Sequence, residues 1–110
     1  MTENTIEKIE AKIHGSSSIS DERKQELLQL LATLKSEVGA LAQTHDEQAS
    51  RIANFTQTSA HEATREEQNP ESLELSLKGL RSSVDGFEQS HPKLVQIVNS
   101  ISKTLADLGI

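Results

Sequence analysis

Residues 27–55, LLQLLATLKSEVGALAQTHDEQASRIANF, decide the fold. Leu27, Leu31, Leu34, Val38 and Leu41, then the polar His45 and Gln48, then Ile52 and Phe55 follow one another at alternating steps of four and three. This is the a/d spacing of a heptad repeat, so the stretch reads as one helix whose seam carries two polar interruptions. Upstream, Ser20 is a good N-cap, because its hydroxyl can accept from a free first-turn N–H, and Asp21 and Glu22 then lie at the positive end of the helix dipole. Continued to about Ala63, a helix over 21–63 would be roughly 65 Å long at ~1.5 Å per residue. Its last part, Thr56-Gln57-Thr58-Ser59, is made of poor helix formers.

A second stripe follows. Asn69 is an N-cap with Pro70 at the first helical position, where a missing N–H costs nothing. Leu73, Leu77, Leu80, Val84, Phe87, His91, Leu94, Val98, Ile101, Leu105 and Leu108 keep the same stepping to the end of the chain, through Pro92. The spacing predicts a helix over 70–108, kinked or broken near Pro92, and the unbroken phase favours the kink. Before both lies a short segment, 5–14, with Ile6, Ile9 and Ile13 on one side and Gly15 as a natural C′ residue. So short a helix is not stable alone and must dock.

A turn at Glu66 to Asn69 makes the two stripes antiparallel. Leu27 then meets Leu108, Val38 meets Val98, His45 meets His91, Ile52 meets Val84 and Phe55 meets Leu80. A slip of one heptad would oppose His45 to Val84 and leave His91 uncompensated, so the first register is preferred. The expected fold is all-α and a single domain over 1–110: a long antiparallel, coiled-coil-like helical hairpin, with the short N-terminal helix packed at its open end through the Ser16-Ser17-Ser18 loop. Extra apolar residues, Leu28, Leu30, Val95 and Ile97, widen the face only there. A bare stalk at the other end would leave Ile52, Phe55, Leu80, Val84 and Phe87 wet, and a second copy would cover them, giving a homodimeric bundle. Small residues at the same stepping (Ser72, Ser76, Gly79, Ser83, Gly86, Ser90) suit close helix approach. Gly79 and Gly86 in particular call for a reason, since glycine inside a helix costs ~1 kcal/mol against alanine. Ala42, Ala49, Ala53, Ala60 and Ala63 lie on one flank of the preceding helix.

Composition narrows the function. Only 34% of the chain is hydrophobic, about 39% with glycine, against ~45–50% in ordinary domains, so the core is thin. The absence of cysteine removes disulfides, thiol catalysis and thiolate metal sites. A formal charge of −6 makes phosphate backbones and anionic lipids poor partners, and the 2% aromatic content supplies almost no stacking platforms. No apolar run approaches the ~18 residues of a membrane span, and MTENTIEKIE lacks the features of a signal peptide, so a cytoplasmic protein is expected.

Of the polar residues, His45 and His91 stand out. Facing each other near Asp46, Gln48 and Glu88, they could fix the register of the seam, loosen it when both become charged, or hold a divalent metal. No further ligand at helical spacing completes a metal set, so they are weak metal candidates and no cofactor is expected. His14 and His61 read as helix-end or surface residues. Glu62, Glu66, Glu67, Glu71 and Glu74 gather at the hairpin tip as a solvated acidic surface that a basic protein partner could use. No nucleophile is set beside a base and no glycine-rich loop exists, so no enzyme activity is expected.

The run Phe87-Glu88-Gln89-Ser90-His91-Pro92-Lys93-Leu94, with Asn99, Ile101, Leu105 and the ending Leu108-Gly109-Ile110, resembles the C-terminal signature of an uncharacterised bacterial family, domain of unknown function 4404. Its members are small and helical, with an F-E-x-x-H-P-x-L run and an ending close to M-G-I, where this chain has Leu108. The resemblance implies a bacterial cytoplasmic protein and carries no activity with it. The expected function is therefore a non-catalytic, self-associating structural or interaction protein, with Ile52, Phe55, Gly79, Leu80, Val84, Gly86, Phe87 and His91 at the interface. The alternatives are a small pH- or metal-responsive regulator built on His45 and His91, or an acidic adaptor or decoy for a basic protein.

Overall fold

The structure, a computed structural model, describes residues 2–109 and contains five helices: α1 Thr2–Gly15, α2 Asp21–Ala42, α3 Asp46–Ala63, α4 Pro70–Ser82 and α5 Pro92–Gly109. The helical reading holds, but each of the two long helices is two. The segment expected as one helix over 21–63 turns back at Gln43-Thr44-His45, where the N–H groups of both Thr44 and His45 end on the Leu41 carbonyl. Asp46 and Glu47 open α3, where carboxylates favour the dipole. The segment 70–108 is broken rather than kinked. Helix α4 stops at Ser82, and Pro92 is not inside a helix but at the first position of α5.

Folding back in this way shortens the molecule. Its longest dimension is 37 Å, little more than half the expected stalk. Helices α2 to α5 run up and down around one core, with α2 against α3 and α5, α4 against α3 and α5, and α3 also against α5. Helices α2 and α5 run antiparallel. Arg23 reaches Asp107 at 3.7 Å, and the Thr104 hydroxyl donates to Glu26 Oε1 at 2.9 Å.

Helix α1 lies across α2 and α3. Glu10 pairs with Lys35 at 3.2 Å, and Lys24 donates to the His14 carbonyl. The docking of α1 on α2 follows the sequence reading; its contact with α3 does not, because the extended hairpin keeps α3 at the far end. Gly15 ends α1 without a positive φ, so it is not the left-handed cap expected of it. Ile19, in the connection, closes the core beneath the loop.

The caps read from sequence at α2 and α4 are present. Ser20 Oγ accepts from the Arg23 N–H at 3.3 Å, and Asn69 Oδ1 from the Ser72 N–H at 3.2 Å. Gln68 ties two helix ends together, its amide donating to the Ala63 carbonyl at the end of α3 and to the Leu108 carbonyl near the end of α5. Such ends carry carbonyls with no partner inside their own helix.

The α2 stripe is buried in full: Leu27, Leu31, Leu34, Val38 and Leu41. Helix α3 buries something broader than a seam, Ala49, Ile52, Ala53, Thr56, Ser59, Ala60 and Ala63, and it touches all four other helices. A wide face of small residues lets several backbones approach, which one partner helix could not exploit. The reason for the fold-back is therefore burial. Bending at 43–45 and 83–91 lays the halves of the hairpin on each other, so that Ile52 and Leu80 are fully buried and Val84 nearly so. Each such side chain contributes about 1.5–3 kcal/mol relative to exposure.

Candidate functional site

The two bends meet at one end of the bundle, and His45, Phe87 and His91 meet there with them. His45 is the last residue before α3 and His91 the last before α5. Their ring centroids are 6.2 Å apart, and Phe87 stands 5.7 Å from His45 and 5.4 Å from His91, every pair close to perpendicular. Edge-to-face contact of this kind suits the charge distribution of the rings. Each imidazole also shares a hydrogen bond with the hydroxyl before it, His45 Nδ1 with Thr44 Oγ1 at 2.7 Å and His91 Nδ1 with Ser90 Oγ at 2.8 Å. The pairing of the two histidines expected from register thus occurs, at the corner of a folded-back bundle instead of midway along a seam. His45 is exposed there, and His91 and Phe87 are half-buried.

The groups expected to help the histidines hold a metal are otherwise placed. Glu88 Oε2 accepts from the Gly86 N–H at 2.8 Å and so serves the turn, while Asp46 and Gln48 face solvent. Among the described residues no three or more His, Cys, Asp or Glu side chains are gathered to hold a metal ion.

The residues expected at an interface between copies fall into three groups. Ile52, Leu80 and Val84 are buried within the single chain, so the need for a second copy to cover them is met by the chain itself. Phe55 is half-buried against Gly79, and a methyl group at Gly79 would run into its ring. Close approach is the reason for that glycine. The other has a different one: Gly86 sits in the turn after α4 with φ +95° and nothing nearby, so it supplies a backbone conformation and no packing. Phe87 and His91 belong to the corner.

Elsewhere, His61 is exposed with Nδ1 2.8 Å from Lys12 Nζ, and the His14 side chain is exposed. At the α3–α4 connection Glu66, Glu67, Glu71 and Glu74 face solvent, and Glu62 is half-buried and paired with Arg65 at 3.1 Å. The outer face of α4 was not singled out from sequence. Glu71, Glu74, Leu75, Lys78 and Arg81 line one shallow groove on it, and Leu75 is 72% exposed. The signal was available, since Leu75 lies off the stripe formed by Leu73, Leu77 and Leu80.

An up-and-down bundle of four helices, flanked by an N-terminal helix and closed at one end by an aromatic corner, defines a small all-helical domain. No described helix is long and apolar enough to cross a membrane. The chain belongs to the family called domain of unknown function DUF4404, whose model matches residues 27–110. The match covers the four-helix bundle from the second turn of α2 onward, including both histidines of the corner, and leaves α1 outside. No curated protein and no solved structure matches the chain.

Proposed function

We propose that this protein is a non-catalytic helical interaction module of the cytoplasm that self-associates through its outer helix faces. The observation that carries the reading is how its apolar residues are distributed. The seam side chains are used up inside one chain, and Leu75 is left outside at 72% exposure on a charged helix. Contact between copies is then contact between closed bundles, not completion of an open hairpin. At the α3–α4 connection the exposed Glu66 and Glu67 offer a separate surface to a basic protein. Sedimentation velocity from about 10 µM to 1 mM tests self-association. A reversible rise above the 12.1 kDa of one chain supports it, and a single monomeric species throughout refutes it.

A second reading is favoured by the 6.2 Å approach of the two imidazoles. As a pH- or metal-responsive device, the corner would loosen when both rings carry charge, because like charges would then face each other where the two bends are joined. Melting temperature would then fall as the solution is taken from neutral to acid pH. The double substitution His45→Leu, His91→Leu would flatten that slope. A flat wild-type profile with no shift on adding zinc removes this reading.

A further inference from the structure

The outer face of α4 carries its charge in two blocks around one leucine. Glu71 and Glu74 occupy the first half of the helix, Lys78 and Arg81 the second, and Leu75 stands between them as the large hydrophobic side chain left in solvent. Spacings of three and four residues bring all five onto one side. None of the four charges forms an ion pair with another described residue, whereas Arg23, Lys35 and Arg65 do. The helix dipole accounts for an acid in the first turn and a base in the last. It does not account for a leucine at their centre.

A surface that is acidic at one end, basic at the other and apolar in the middle is complementary to itself once inverted. We infer that a second copy of this chain docks on α4 about a two-fold axis passing beside Leu75. The two α4 helices lie antiparallel with Leu75 on Leu75, and Glu71 and Glu74 of each copy face Lys78 and Arg81 of the other. This is the isologous geometry of most small homodimers. A parallel arrangement would set acid on acid and base on base, so the charge pattern selects the antiparallel one. The inference rests on the self-association proposed above and names its surface and register. A 13-residue helix is about 20 Å long and offers less than the ~800 Å² per partner of a standard interface, so the dimer is weak and is sought at concentrations up to about 1 mM.

The test is a charge swap followed by sedimentation equilibrium at low salt. Glu71→Lys with Glu74→Lys makes the face wholly basic, and Lys78→Glu with Arg81→Glu makes it wholly acidic. All four side chains are exposed, and unchanged circular dichroism verifies the fold. Each double variant alone is expected to dimerise at least about tenfold more weakly than wild type, and an equimolar mixture of the two is expected to recover the association. Leu75→Ser is expected to weaken it as well. If wild type dimerises but the variants do so equally well, or the mixture recovers nothing, the surface lies elsewhere while self-association stands. If wild type is monomeric at 1 mM, self-association and this surface fall together.

Discussion

Replacing Ala53 by leucine separates a bundle closed by one chain from an extended hairpin. Ala53 is 1% exposed at the middle of α3, the helix that touches all four others. Leucine adds an isopropyl group there. Were there room, burying it would stabilise the fold by about 0.8 kcal/mol per methylene. Interiors are packed near 0.74 density, however, and the added atoms must displace neighbours, at a cost of about 1–3 kcal/mol. On an open flank of a two-helix stalk the same change would cost only the difference in helix propensity, a few tenths of a kcal/mol. Ala32→Leu, at an exposed position of α2, is the matched control.

Urea denaturation of both variants gives the difference directly. Thermal melting should show Ala53→Leu roughly 4–24 °C below wild type, at ~4–8 °C per kcal/mol for a domain near this size. Both measurements are made at two protein concentrations tenfold apart, both well below those at which closed bundles would associate, because a core completed by a second copy would still give a midpoint that moves with concentration. If Ala53→Leu is as mild as Ala32→Leu, α3 is not packed on several helices. If the wild-type midpoint moves strongly with dilution, the core is not closed within one chain.

The glycines divide by backbone and surroundings. Gly86→Ala places a side chain at φ +95° and should destabilise by about 1–2 kcal/mol, whereas Gly15→Ala, in a helix with nothing within 4 Å of the added carbon, should stabilise by up to ~1 kcal/mol; urea midpoints check both. Ser59 and Ser102 are buried with hydroxyls that meet no hydrogen-bond partner. Alanine at either should therefore raise stability by about 1–2 kcal/mol through the lost desolvation penalty and better helix propensity, and an unchanged or lower urea midpoint would show that the hydroxyls are satisfied in solution. Asn69→Ala removes the acceptor that holds the Ser72 N–H and should cost about 1 kcal/mol, with faster amide exchange in the first turn of α4.

Much of the molecule was legible because its signals are local. Ser20 and Asn69 act on N–H groups three residues away, and the stripe from Leu27 to Leu41 needs only a helix to become a face. The bends were not legible for a related reason. A break that keeps heptad phase leaves no mark on the spacing, and both His45 and His91 fall on an a-like step just where the chain turns. The clues lay in side-chain size and backbone chemistry. The alanines of α3 marked a face too wide for a seam, and Gly86 marked a turn, not a close approach. The two histidines do lie close together, yet their surroundings depend on which helices arrive at that end of the bundle.

By itself, then, the sequence determined that the chain is helical, that the stripe from Leu27 to Leu41 faces inward, where α2 and α4 begin and that the segments forming α2 and α5 run antiparallel, since each of these follows from spacing, from turn placement or from a contact within a few residues. Tertiary structure alone decided that the two long segments fold back on themselves and that Ile52 and Val84 are covered by the same chain. A heptad stripe specifies that a face must be buried and leaves open whose face buries it. That choice depends on how many apolar surfaces can be brought together at once, and here the turns at 43–45 and 83–91 bring the buried faces of α2 to α5 into one core.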